Sequence, residues 1–209
     1  MWIDVPQSTP EWFAMRAGKV TGSAMAKIMA NYGKAFWEPA KAFAVEIACI
    51  ELGGEPEIDN YSNGHMERGV AEEPIARKLY ESSHFVEVAP GGFYDNGKTG
   101  CSPDGRPHGG LIEIKSGIKS VHYNRIKRGC MDPTHRWQVA FNLKEARKTH
   151  PEIEWIDFIS YCSTYPEGKK LWVCRQTVED LKEDFAMIDA RLAQFFELVE
   201  KTKEDIMRG

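Results

Sequence analysis

The chain has 209 residues, 42% of them hydrophobic and 11% aromatic, with a formal net charge of −4. Such a chain can bury a core of one-domain size, which argues against a disordered protein and predicts a single domain over residues 1–209. The charge provides no chain-wide basic surface, so any contact with nucleic acid has to be a local patch.

Five cysteines, Cys49, Cys101, Cys130, Cys162 and Cys174, are odd in number and far apart, with no C-x-x-C pair and no zinc-type histidine spacing. Free thiols in a reducing compartment are expected. The opening MWIDVPQSTPEWF lacks a basic segment followed by an apolar run, and no stretch is long enough to span a bilayer. A cytoplasmic protein with no membrane partner is the resulting expectation.

In chain order, residues 10–31 predict two short helices around GKVTGS, the second capped by Thr21 or Ser23. A longer helix is predicted from about Glu38 to Leu52, where Phe43, Ile47 and Ile50 recur at helical spacing, and GGEPEIDNYSNG breaks it. HMERGVAEEPIARKLYESS has strong helix propensity but contains Pro74, which predicts a kink or a fresh start with Pro74 in the first turn. From His84 the period changes to two: FVEVAPGGFYDNGKTGCSPDG and GLIEIKS alternate as half-buried strands do. A basic loop or short helix, VHYNRIKRGCMDPTHRW, precedes a helix at QVAFNLKEARKT. Strands at WIDFISYC and KLWVCRQT follow, then a long amphipathic helix. The order describes an α/β domain with a central mixed sheet, without internal repeat or linker.

The stretch CSPDGRPHGGLIEIKSG concentrates the chemistry. It reads as a hairpin with Asp104 in a Pro-Asp-Gly turn and with Glu113 and Lys115 on one face of the next strand, since side chains two apart point the same way. Two carboxylates suit a hard divalent cation, magnesium or manganese, and the Ile114 carbonyl is available as a further oxygen ligand. Lys115 beside them could orient a water and stabilise charge on a phosphate. By itself the P-D…E-x-K spacing equally fits an exposed strand with alternating charges.

WFAMRAGKVTGS sets Arg16 before a glycine turn and Ser23 at a helix start, a guanidinium and hydroxyl suited to a terminal phosphate or, more plainly, an ordinary capping turn. Farther on, Lys119, Arg125, Lys127, Arg128 and Arg136 interleave with His122, Tyr123 and Trp137, which reads as a groove for a DNA backbone or as a solvated loop.

PDG with EIK resembles the PD-(D/E)xK nuclease superfamily. More closely, four ordered blocks resemble the phage lambda exonuclease and viral-type alkaline exonuclease family (YqaJ-like viral recombinases): Trp12 to Ser23, RGVAEEPIA, CSPDG with EIK, and WQVAFNL. The resemblance implies a restriction-endonuclease-like α/β core and a magnesium-dependent exonuclease, with manganese as a substitute. It would digest one strand of linear duplex DNA from the 5′ end, release mononucleotides and leave 3′ overhangs.

On the matching positions, Asp104, Glu113, Glu73 and the Ile114 carbonyl would hold metal, with Lys115 and Gln138 completing the catalytic set. Arg16, Ser23 and Ser102 would bind the 5′-phosphate, Met66 would be a wedge between terminal base pairs, and Asp95 a supporting acid. The resemblance also implies a homotrimeric ring, a single-strand annealing recombinase as partner, and a phage or prophage protein acting in a bacterial cytoplasm. The alternatives are a PD-(D/E)xK endonuclease or junction resolvase, or a DNA-end-binding module without catalysis.

Overall fold

The structure, a computed structural model, describes residues 1–56 and 64–209, the side chains of His65 and Met66 aside. The wedge expected of Met66 therefore lies outside the described residues.

The chain begins with β1 (Trp2–Ile3) and α1 (Pro10–Arg16), whose start is fixed by Pro10 in the first turn and by the Thr9 hydroxyl accepting from the Trp12 N–H at 3.2 Å. β2 (Val20–Thr21) leads through a 3-10 turn, Gly22–Ala24, into α2 (Met25–Met29). Neither Thr21 nor Ser23 caps this helix. Both hydroxyls are turned to Arg16 instead, and the 3-10 turn delivers the chain into the helix without a side-chain cap.

α3 (Glu38–Glu51) follows the expected spacing, with Ile47 buried. α4 (Gly64–His84) runs through Pro74, so the proline does not open a new helix. The Val70 carbonyl, four residues back, loses its donor, but Val70 is 65% exposed and water can replace it.

β3 (Phe93–Asp95), β4 (Thr99–Cys101) and β5 (Gly110–Ser116) come next, then α5 (Lys119–Arg128), a 3-10 turn at Pro133–His135 and α6 (Arg136–Arg147). β6 (Trp155–Tyr161), β7 (Leu171–Thr177) and α7 (Val178–Arg208) complete the chain. The Thr177 and Asp180 side chains and backbones bond reciprocally in a capping box that starts α7.

The mixed sheet is present as two hydrogen-bonded sets, β1-β3-β4-β2 and β5-β6-β7. β5 and β6 are parallel, connected through α5 and α6, while β6 and β7 are antiparallel. β4 and β5 belong to different sets, so the expected hairpin around Asp104 is not a paired ladder. One antiparallel bridge, Gly105 to Ile112, ties the connection to β5. Residues 85–92, expected as a strand, contribute only the bridge Ala89 to Arg106, and Gly91 packs so closely on the Pro103 carbonyl that a Cβ there would clash.

β5 is covered on both faces rather than half-buried. Leu111 joins the main core with Phe141 of α6 and Ile188 of α7; Ile112 and Ile114 pack with Ala76 and Tyr80 of α4 and with Ile159 of β6. Each fully buried aliphatic side chain contributes roughly 1.5–3 kcal/mol, so the strand is anchored from both sides at the residues flanking Glu113. Arg191, 2% exposed, donates to the carbonyls of Ile28, Ala30 and Lys34 and lies 3.6 Å from the Phe36 ring centroid, fixing the segment after α2 on α7.

Candidate active site

Glu113 is 1% exposed and points from β5 toward α6. Its Oε1 accepts from Lys115 Nζ and from Gln138 Nε2, both at 2.6 Å, and its Oε2 accepts from Asn142 Nδ2 at 2.8 Å. Gln138 and Asn142 are four apart on α6 and share the face that meets β5. Lys115 reaches Glu113 from two residues along the strand, as the period-two reading requires.

Asp104 is 9% exposed, and its Oδ2 accepts from the Ile114 N–H at 2.6 Å. The bond shows which edge of β5 the even-numbered residues present. Ile112 uses both its N–H and its carbonyl on the 104–105 segment, with Gly105 O and Asp104 N each at 3.0 Å. In an extended strand the N–H and C=O of one residue point to the same side, so the Ile114 carbonyl also lies on the Asp104 edge, outside the β6 ladder.

Glu73 comes from α4, where Arg77 donates to it at 2.6 Å. Its neighbour Glu72 accepts from Ser163 instead. Glu73 acts electrostatically on Asp104 and Lys115.

Burial, then repulsion from Glu113 and Glu73, pushes the Asp104 carboxyl well above the usual carboxylate range, with Lys115 opposing. Burial also raises Glu73, against the pull of Arg77. For Lys115 burial acts downward, but Glu113, Asp104 and Glu73 together outweigh it and hold the ammonium above its ordinary value. Three acids thus crowd one lysine.

Among the described residues no three His, Cys, Asp or Glu side chains stand in ligand geometry; Glu73 is turned to Arg77, and donors occupy both Glu113 oxygens. The remaining chemistry fits a hard cation nevertheless. Asp104, Glu113, Glu73 and the Ile114 carbonyl are all oxygen donors, and a dication would relieve the repulsion that raises Asp104.

A second cluster lies beside this one. The Arg16 guanidinium donates to Thr21 Oγ1 and Ser23 Oγ, both at 3.1 Å, and stacks 4.0 Å above the Trp12 ring. Trp12 Nε1 in turn donates to Ser102 Oγ at 2.8 Å. Arg16, Ser23 and Ser102 therefore converge through Trp12, a link that no spacing rule reveals. Burial lowers the Arg16 pKa to about 10, with Cys101 and Glu113 opposing, and the group remains a cation at neutral pH.

Much of the basic segment does not face outward. Arg125 is 5% exposed and donates to the Lys115 carbonyl and to Ser160 Oγ; His122 is fully buried against Ser160 and the Lys169 carbonyl. Arg136 makes a two-nitrogen pair with Asp184. Internal hydroxyls and carbonyls take Arg125 and His122, whereas Arg136 stays half exposed while it pairs with buried Asp184, so Lys119, Lys127, Arg128 and Arg136 are exposed charges of that stretch. Asp95 pairs with Lys19 at 2.8 Å and accepts from the Gly97 N–H, a loop-closing role at the end of β3.

The sequence reading missed Trp12, Thr21, Asn142 and His135. His135 carried no signal, being a single polar residue before a helix start, and Asn142 lay within the WQVAFNL block four residues after Gln138, on the same helix face. Trp12 and Thr21 lay within a quoted block, where their side chains could have been asked to support Arg16.

An acid on a buried strand, a lysine two residues on, an acid from the preceding turn and a further acid from a helix are the arrangement of a nuclease with a restriction-endonuclease-like α/β core. Residues 11–148 match the YqaJ-like viral recombinase domain. The alkaline exonuclease LHK-Exo from Laribacter hongkongensis superposes with a TM-score of 0.76 at 30% identity, over 96% of this chain and 99% of that one. Its complex with dAMP gives 0.77 at the same identity and coverage. A phage-related exonuclease from Haemophilus somnus 129PT, 14% identical, shares the fold with a TM-score of 0.59 over 91% of this chain and 95% of its own. No curated protein sequence matches. The chain belongs to the viral-type alkaline exonuclease family and is a nuclease.

Proposed function

We propose that the protein is a magnesium-dependent exonuclease that degrades one strand of linear duplex DNA from its 5′ end, releases 5′-mononucleotides and leaves 3′ single strands. The observation that carries this reading is the adjacency of two clusters: Arg16, Ser23 and Ser102 around Trp12, and Asp104, Glu113 and Lys115 on and beside β5. The first suits a terminal phosphate, the second the next phosphodiester.

Magnesium, with manganese as a substitute, would be held by Asp104, Glu113, Glu73 and the Ile114 carbonyl, and would supply positive charge against the phosphate as its own charge grows. Lys115 orients the attacking water and stabilises the developing oxyanion. Gln138 fixes the Glu113 carboxylate and would contact the phosphate. Water adds to phosphorus and the P–O3′ bond breaks; the 3′-oxygen of the terminal nucleotide departs with a proton, that nucleotide keeps the original 5′-phosphate, and the attacked phosphate becomes the new 5′-phosphate of the shortened strand. Exposed Lys119, Lys127 and Arg128 would follow the duplex backbone.

The wider setting is recombination by strand annealing. The protein would act as a homotrimeric ring around DNA, with a single-strand annealing recombinase as partner, as a phage or prophage protein in a bacterial cytoplasm. Its family membership supports this setting. The described residues contain no helix long and apolar enough to cross a membrane.

Linear duplex with a 5′-phosphate or a 5′-hydroxyl, incubated with magnesium or chelator beside a covalently closed circle, tests the reading. Digestion should need magnesium and a free end and should slow without the 5′-phosphate. Cutting of the closed circle would establish an endonuclease, and end binding without cleavage a non-catalytic module.

A further inference from the structure

Asn142 is 1% exposed and occupies the point where the two clusters touch. Its Nδ2 donates to Glu113 Oε2 at 2.8 Å. Its Oδ1 faces Gly22, where a Cβ would stand only 2.3 Å away and only 3.2 Å from Gln138 Cγ. Gly22 lies between Thr21 and Ser23, the two hydroxyl residues that receive Arg16. One residue of α6 therefore rests on the middle of the Arg16 turn and carries an oxygen of the acid on β5.

The choice of side chain is informative. Asn142 Oδ1 is buried and has no hydrogen-bond partner among the described residues. An aliphatic residue of similar size would fill the space without that cost, so what asparagine adds here is the Nδ2 donor to Glu113. An ionised carboxylate can only accept, which sets the amide with nitrogen toward Glu113 and oxygen toward Gly22.

We infer that Asn142 is a positioning residue that couples 5′-phosphate engagement to the Glu113 carboxylate. The inference rests on the proposed function and deepens it. A phosphate held by Arg16 and Ser23 fixes the Thr21–Gly22–Ser23 turn. The turn presses on Asn142, and Asn142 fixes the plane of Glu113 while Gln138 and Lys115 hold its other oxygen. A phosphorylated end is then favoured twice, once in binding and once in the rate of the bound complex.

The two effects separate experimentally. With wild type, Asn142→Ala and Gly22→Ala, kcat is measured on phosphorylated and hydroxyl-ended duplex, and affinity for the same ends is measured in chelator by fluorescence anisotropy. Asn142→Ala should lower kcat on the phosphorylated end by about tenfold or more, in line with the loss of one hydrogen bond to a charged group. The kcat ratio between the two ends should fall toward one, while the binding preference for the phosphorylated end remains.

Gly22→Ala, which displaces Asn142 from the other side, should also collapse the kcat ratio, and it decides the matter if Asn142→Ala does not fold. A residue that merely packs would lower both kcat values by one factor, and an unchanged ratio in either folded variant overturns the inference. A wild-type protein indifferent to the phosphate in both binding and kcat would instead overturn the end-recognition reading on which the inference stands.

Discussion

Arg125 donates to the main-chain carbonyl of Lys115 at 2.9 Å, so the lysine that reaches the acids from its side chain is held by an arginine through its backbone. The same guanidinium meets Ser160, Asp132 and His135. Replacing it with methionine removes all four bonds, and although Asp132 keeps Thr134 and Arg128, the Lys115 carbonyl and the Ser160 hydroxyl lose a charged donor. A hydrogen bond to a charged group contributes about 1.5–3 kcal/mol. Arg125→Met should lower the urea midpoint accordingly and reduce cleavage, while the salt dependence of DNA binding stays unchanged. A variant of normal stability with a shallower salt slope would place Arg125 on the DNA instead.

Asp104 contributes to stability with a definite sign. Its carboxyl titrates well above the usual range in the folded protein, chiefly through burial and then through Glu113 and Glu73. The folded state therefore binds this proton more tightly than the unfolded chain. Its stabilising contribution is complete below the unfolded value of about 3.9 and is lost as pH rises through the folded value. Asp104→Asn removes the repulsion while keeping the shape. In chelator at pH 8 its thermal midpoint should exceed that of wild type, and the advantage should shrink toward pH 4. Cleavage in magnesium should be abolished, as it should in Lys115→Ala. Wild-type activity in either variant would discard the site.

His135 has the opposite sign. Burial, with Lys115 and Arg125 nearby, lowers its pKa to about 4. Arg125 can only donate, so the 3.3 Å contact between its NH2 nitrogen and His135 Nε2 requires an unprotonated Nε2. As pH falls below about 6.5 the unfolded chain takes the proton first. Stability is lost through the window down to about 4. His135→Gln keeps a polar acceptor without the titration, so its thermal midpoint should fall less between pH 7 and 4.5. Parallel curves for the two proteins would show that His135 does not titrate as its surroundings demand.

These residues show what was legible in the sequence and what was not. Asp104, Glu113 and Lys115 could be read because strand period two brings positions 113 and 115 together, and a Pro-Asp-Gly turn places an acid at a strand's edge. The long helices could be read from apolar spacing. The partners could not. Arg125 and His122 have the composition of a DNA-facing patch, but Ser160 approaches from a distant segment and draws them inward. Thr21 and Ser23 have the composition of caps, but Arg16 recruits both hydroxyls. Local pattern reports which groups are available, whereas long-range packing selects their partners.

Arg16 tests the phosphate cluster most directly. Its side chain joins a face-on contact with Trp12 to bonds with two hydroxyls, a geometry that needs a flat, multi-donor cation. Arg16→Ala should weaken binding of a phosphorylated end by about 10- to 100-fold, the scale of one charge-assisted hydrogen bond, with hydroxyl-ended duplex nearly unaffected. Arg16→Lys should restore little, because a single ammonium cannot stack on Trp12 and reach Thr21 and Ser23 together. Fluorescence anisotropy in chelator isolates binding from cleavage. Full rescue by lysine would reduce Arg16 to a point charge, and equal weakening at both ends would move its role from the terminal phosphate to the duplex as a whole.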